Sequence, residues 1–218
     1  MTAQTLFFWR HGRTEHNLRR IWQGQLDIPL DDVGRGQAAT AAQRLLTDLA
    51  TAREAESGGS AGEPVNWLRI VSSDLSRAAD TAQALAKASG VPVICEKRLR
   101  EVNVGVWQGM TRAEILEAGM GEQLRAWQDG EDIPLGGGER RSEVGLRGAE
   151  AVTEHAGAMD GGTLVAVSHG GIINGTIATL LGLGSDRWGI LGVLGNARWA
   201  RLAHGTRGWR LTGYDLGP

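Results

Sequence analysis

Two of the five histidines, His11 and His169, stand directly after an apolar run and directly before glycine, in "LFFWRHG" and "LVAVSHGG". A neutral imidazole, with a reference pKa of ~6.5, is available as a nucleophile near neutral pH. Glycine after it lets the backbone turn tightly and lets a ligand come close. Arg10 adjoins His11, and Arg77 follows a third polar stretch, Ser72-Ser73-Asp74. The planar fork of arginine donors suits phosphate oxygens, and helices starting near Asp74 and Gly170 would add partial positive charge. Glu101, in "RLREVNVGVWQG", offers a carboxylate on a loop. These residue types describe a pocket for a phosphate-like dianion, with nucleophile, cationic clamp and acid.

Such residues cooperate only if the fold gathers them. "TLFFW", "WLRIVSS", "VPVIC" and "GTLVAVS" read as strands. Between them, "GQAATAAQRLLTDLATA", "DLSRAADTAQALAKASG", Thr111 to Asp129, Ser142 to Met159 and "GGIINGTIATLLG" read as helices. Asp74 is the expected N-cap of the second and Gly90 its terminator. "REAESGGSAGEPVN", Arg53 to Asn66, reads as a mobile surface loop, "PLGGGE" as a turn, and the tail from Asn196 to Asp215 as a hairpin. Strands separated by helices predict a mostly parallel central sheet covered on both faces, with residues 1–218 forming a single domain. In such sheets ligands bind at the carboxyl ends of the strands. Arg10-His11-Gly12, Ser72-Ser73-Asp74 and Ser168-His169-Gly170-Gly171 would then share one edge.

Composition narrows the function classes. The formal net charge of −2 gives no reason to expect nucleic acid or an anionic membrane as partner. Basic residues are scattered apart from pairs such as Arg19-Arg20 and Arg140-Arg141. Cys95 is alone, so no intrachain disulfide forms; it is expected to be a buried, inert thiol. No signal peptide or membrane-length apolar run is visible, which points to the cytoplasm. His11 and His16 are five apart without an acidic pair at ligand spacing, so no metal site is expected. "VGRGQAA" fits a dinucleotide fingerprint but follows "LDD" and not a strand, so its glycines are expected to start a helix. His16, His155 and His204 are read as surface or structural. A small phosphorylated metabolite is the expected partner, and a homodimer is left open.

The motifs resemble, in order, those of the histidine phosphatase superfamily, in its phosphoglycerate-mutase-like branch. "RHGRTEHN", "WQGQLDIPLDDVGRGQA", "VSSDLSRAADTA", "LREVNVGVWQG" and "VAVSHGG" carry the resemblance across nearly the whole chain. It implies an α/β fold, a three-layer α/β/α sandwich with a mostly parallel sheet. It implies catalysis through a phosphohistidine on His11, with Arg10, Arg77 and His169 holding the phosphoryl group and Glu101 as partly buried proton donor. Asn17 and Gln23 would be supporting donors, with Gly24, Gly170 and Trp107 on the substrate side and no cofactor. Members that act as mutases follow the acid with tyrosine; here Glu101-Val102-Asn103-Val104 follows no such pattern, and the one tyrosine is Tyr214. Phosphatase is therefore favoured over mutase. "LREVNVGVWQGMTRAEI", "GNARWARL" and "GWRL" are similar to a subgroup acting on glucosyl-3-phosphoglycerate, a narrower expectation than a broad phosphatase. Trp22, Trp107 and the segment from Trp127 to Arg141 are the candidates to meet a sugar. Arg140 departs from the serine many members carry after "GGE", which would alter the pocket's polarity. A catalytically silent phosphate-binding relative would have lost nucleophile or acid, and both are present.

Overall fold

Alternation along the first strand sets the layers. In the computed structural model, which describes residues 2–57 and 67–218, β1 runs Thr5–Arg10. Successive side chains of a strand point to opposite faces. Leu6 and Phe8 accordingly join a core with Ala151, Val152, Ile173 and Ile177, whereas Phe7 and Trp9 join Ala41, Leu45, Leu49, Ala82 and Leu85. The first set belongs to helices α6 (Arg141–Gly157) and α7 (Gly170–Leu180), the second to α2 (Asp32–Ser57) and α3 (Ser76–Ser89). The three-layer sandwich follows.

The sheet contains β2 (Leu68–Ser72), β3 (Val93–Cys95), β4 (Thr163–Ser168), β5 (Trp199–Gly205) and β6 (Gly208–Leu216) besides β1, in the order β3-β2-β4-β1-β5-β6. The pairs β1–β4, β2–β4 and β2–β3 are parallel; β5 and β6 add the antiparallel hairpin. Pairing of Arg10 with Ser168 and of Ser72 with Val167 brings the carboxyl ends of β1, β2 and β4 level. A third, smaller core lies apart from the sheet: Val104, Trp107, Ile115, Leu124 and Leu135, covered by Trp22 and Trp127. Short helices α4 (Arg112–Glu117) and α5 (Gly121–Gln128) supply part of it, and α1 (Glu15–Leu18) follows β1.

Four local expectations are corrected. Helix α2 continues through Ser57, so the start of the stretch from Arg53 is helical; "REAES" holds no breaker before Gly58, and the rest lies outside the described residues. Asp74 does not cap α3, whose N-cap is Leu75 without a side-chain bond; Arg100 Nε and Nη2 take both Asp74 oxygens at 2.7 and 2.6 Å. Gly90 does end α3, in the left-handed region at φ +76°. Cys95 is exposed, because β3 is a three-residue edge strand that among the described residues pairs with β2 alone. Thr111 to Asp129 is two helices, separated around Gly119 at φ +76°.

Candidate active site

The level strand ends put the two imidazoles side by side. His11 N–H donates to the Ser168 carbonyl at 3.0 Å, and the His11 and His169 ring centroids lie 5.1 Å apart. Glycines make the turn beyond β1 feasible. A Cβ on Gly12 would overlap the Gly34 carbonyl and one on Gly34 the Arg13 carbonyl, so this loop and the start of α2 meet backbone to backbone. The glycines of "VGRGQAA" thus stand in the first turns of a helix, as the sequence implied.

His11 is fully buried, and its Nδ1 lies 2.6 Å from the Gly12 carbonyl. Nδ1 therefore carries the hydrogen and Nε2 the lone pair. Burial, then the nearby Arg77 and Arg10 charges, hold the His11 pKa well below the ordinary value, and the same causes act on His169. Both rings are neutral at pH 7. Arg77 is also buried: Nε donates to His169 Nδ1 at 3.1 Å, Nη1 to Leu26 O at 2.7 Å and Nη2 to Gly24 O at 2.9 Å. Desolvation lowers its pKa to about 10, which still leaves it charged. With Nδ1 accepting, His169 Nε2 is the protonated nitrogen, 2.9 Å from Ser73 Oγ. Arg10 is anchored by Nη1 to the Leu194 carbonyl, while its buried Nε has no partner among the described residues.

Glu101 sits opposite, partly buried as expected. Its Oε1 accepts from Val102 N at 2.9 Å and Ile172 N at 3.1 Å, and its Oε2 from Gly171 N at 3.2 Å. The last two donors are the amino end of α7, a natural seat for a carboxyl group. Arg147 fastens the loop behind it: Nη1 reaches the Arg98 and Arg100 carbonyls at 2.7 and 2.8 Å, and Nη2 the Glu101 carbonyl at 3.1 Å. The same guanidinium is paired with both oxygens of Glu139, and Glu139 accepts from Asn103 N at 2.7 Å.

These groups open on a cavity of about 480 Å³ lined by Arg10, His11, Asn17, Gln23, Gly24, Arg77 and Glu101. Its outer part is walled by Trp22, Trp127, Leu135 and Arg141 on one side and by Asn174, Trp188 and Val193 on the other. Trp22 meets Trp127 and Trp107 edge to face, with centroids 5.2 and 5.4 Å apart. Among the described residues no group of three His, Cys, Asp or Glu side chains is placed to hold a metal.

The family model described as histidine phosphatase superfamily (branch 1) matches residues 6–216. The chain belongs to this superfamily. A glucosyl-3-phosphoglycerate phosphatase of Mycolicibacterium vanbaalenii is 42% identical over 95% of the chain and 87% of the relative. One of Mycobacterium tuberculosis is 38% identical over 93% and 86%. A solved mycobacterial glucosyl-3-phosphoglycerate phosphatase complexed with VO3 superposes with a TM-score of 0.84 at 36% identity, covering 99% of this chain and 100% of that one. The chain is thus a phosphoric monoester hydrolase on a phosphoglycerate-mutase-like fold. No described helix is long and apolar enough to cross a membrane.

Several placements differ from the sequence expectation. Trp107 is fully buried beneath Trp22, where its Nε1 faces Met120 Sδ, so it supports the wall and does not line the cavity. Gly170 starts α7 behind Arg10 and Val193; of this glycine pair it is Gly171 that lines the cavity. Arg140 turns to the Asp132 carbonyl at the surface, and its neighbour Arg141 enters the cavity. Asn17 lines the cavity while its Oδ1 closes a capping box with Thr14 and accepts from Asn196 Nδ2 at 3.2 Å. Gln23 Oε1 lies 3.0 Å from Thr14 Oγ1. Outside the cavity, His155 pairs with Glu96 and His204 packs on Trp209. Sequence reasoning missed Ser73, Asn174, Arg147, Trp188 and Asn196. Of these only Ser73 carried a signal, its position in the "SSD" strand end.

Proposed function

We propose that the chain hydrolyses a phosphate monoester through a phosphohistidine on His11, with glucosyl-3-phosphoglycerate as the substrate. One observation carries the mechanism. The Gly12 carbonyl fixes the His11 tautomer, leaving Nε2 unprotonated in a cavity shared with Arg10, Arg77 and Glu101. His11 Nε2 attacks phosphorus and forms the P–N bond as the P–O bond to the leaving group breaks. Glu101 gives its proton to the departing alkoxide, then takes one from the water that cleaves P–N and releases phosphate. Arg77 and Arg10, whose Nε is free to donate, meet the phosphoryl oxygens, and the His169 Nε2–H held at rest by Ser73 joins them.

The likeness to glucosyl-3-phosphoglycerate phosphatases supports the substrate, and so does the outer cavity. Its volume lies within the range of about 300–1,000 Å³ typical of small-molecule sites. The indoles of Trp22 and Trp127 offer apolar faces with polar edges, suited to a sugar ring. The test pairs steady-state kinetics with rapid quenching. Glucosyl-3-phosphoglycerate is expected to exceed 3-phosphoglycerate at least tenfold in kcat/KM, and an acid-labile phosphoenzyme is expected to appear and vanish in His11→Ala. Equal kcat/KM for the two esters refutes the substrate; a fully active His11→Ala refutes the mechanism.

A further inference from the structure

The cavity holds more positive charge than one phosphate can balance. Four arginines line it, Arg10, Arg20, Arg77 and Arg141, against the single acid Glu101. His11, the histidine that lines it, is neutral, its protonated form disfavoured by burial and by Arg77 and Arg10. A phosphate dianion offsets two of these four charges, and Glu101, which holds the proton it will donate, offsets none. The remainder favours a further anionic group on the substrate.

The unmatched charge is at the outer end. Arg77 is buried among His169, Gly24 and Leu26, and Arg10 is tied to Leu194 beside His11. Arg141 lies on the aromatic wall, its guanidinium carbon 4.7 Å from the centroid of Trp127 and its Nη2 2.6 Å from the Trp127 carbonyl. Those contacts fix the plane and leave Nε and Nη1 without a hydrogen-bond partner among the described residues. Burial depresses its pKa, with Asp132 the opposing charge, yet Asp132 is bound by Ser142 N and Oγ at 3.0 and 2.6 Å and does not line the cavity. Arg20 lines the same space from the loop after α1, held at φ +55° in the left-handed region, an unfavourable conformation for a non-glycine residue. Among the described residues neither Arg20 nor Arg141 has a carboxylate within 4 Å, unlike Arg13, Arg98, Arg100 and Arg147.

We propose that Arg141, assisted by Arg20, forms an outer subsite for a carboxylate on the leaving group. A planar guanidinium stacked on an indole and offering one free edge matches the two oxygens of a carboxylate. The inference rests on the monoester reading above and assigns the leaving-group end of the same cavity.

The test compares 3-phosphoglycerate with glycerol 3-phosphate, which carries CH2OH in place of the carboxylate. The wild-type protein, Arg141→Gln and Arg20→Gln are assayed on both, and each rate is divided by that variant's rate on 4-nitrophenyl phosphate. The division cancels general damage to folding or to the phosphoryl end. The wild type is expected to prefer the carboxylate ester at least tenfold in kcat/KM. Arg141→Gln should reduce that preference to threefold or less, Arg20→Gln should reduce it partially, and Arg141→Lys should restore part of it. A wild type without preference, or a preference intact in Arg141→Gln, overturns the subsite while the hydrolase reading stands. A wild type that releases phosphate from none of the three esters overturns the hydrolase reading, and the subsite with it.

Discussion

Gly171→Ala should disable the acid without disturbing the nucleophile. A Cβ at that position would stand 2.7 Å from Glu101 Oε1 and 2.8 Å from Val102 Cγ2. Heavy atoms in ordinary contact keep about 3.5 Å or more, so the carboxyl group must retreat by roughly 0.8 Å. Its bonds to Gly171 N and Ile172 N are already 3.2 and 3.1 Å, and a retreat of that size takes both beyond useful hydrogen-bond length. A positioned acid contributes about 10²–10⁴-fold, and misplacement by ~1 Å costs on the order of 10². The helix itself gains from the change, since alanine is favoured over glycine by about 1 kcal/mol. Steady-state phosphate release should therefore show kcat/KM for glycerol 3-phosphate reduced ~30-fold or more. For 4-nitrophenyl phosphate, whose leaving group needs little protonation, the loss should stay within about threefold. Equal losses on both esters, at an unchanged melting temperature, would refute the assignment of Glu101 as acid.

Acid should destabilise the protein through its two active-site histidines. Their folded pKa values lie well below the unfolded value of ~6.5, so the unfolded chain binds protons that the native chain refuses, and stability falls as pH drops through 6.5. At up to ~1.4 kcal/mol per pH unit for each group, urea denaturation should show a loss of about 2–3 kcal/mol between pH 7.5 and 5.5. A His11→Asn, His169→Asn double variant should flatten that profile, and an equally steep one would show that other groups are responsible. Arg147→Met leaves Glu139 and three loop carbonyls without their donor. It should cost about 3–5 kcal/mol in a urea titration and slow alkyl esters more than aryl ones; a cost under ~1 kcal/mol would mean that the loop is held by other contacts.

The parts legible in the sequence were those encoded by neighbours along the chain. The apolar run "TLFFW" ending at Arg10-His11-Gly12 announced a buried strand with chemistry at its end, and three such ends do meet at one sheet edge. Gly90 ended its helix where its backbone freedom said it would. What escaped depends on partners distant in sequence. Asp74 has every local credential for an N-cap, but an ion pair with Arg100, 26 residues on, outcompetes that local bond. Asn196 reaches the His11 carbonyl across 185 residues, and Ser73 meets His169 across 96. Of the tryptophans, Trp107 adjoins a motif and is buried, whereas Trp127, twenty residues later, forms the wall. Proximity to a motif in sequence does not decide which side of a small core a side chain faces.

The separate core beneath that wall has an evolutionary consequence. The nucleophile and the phosphoryl clamp are set in strand ends whose side chains belong to the two sheet cores, so substitutions there are paid for in the stability of the whole fold. The wall that meets the leaving group is supported instead by Val104, Trp107, Ile115, Leu124 and Leu135, a cluster that can be repacked without touching the sheet. A lineage can exchange this block, altering the aromatic surface and the position of Arg141 together, and inherit the phosphohistidine chemistry wherever Glu139 is kept to hold Arg147. Grafting the Trp107–Arg141 block between relatives is accordingly a more promising route to new ester preferences than mutating the phosphate-binding end.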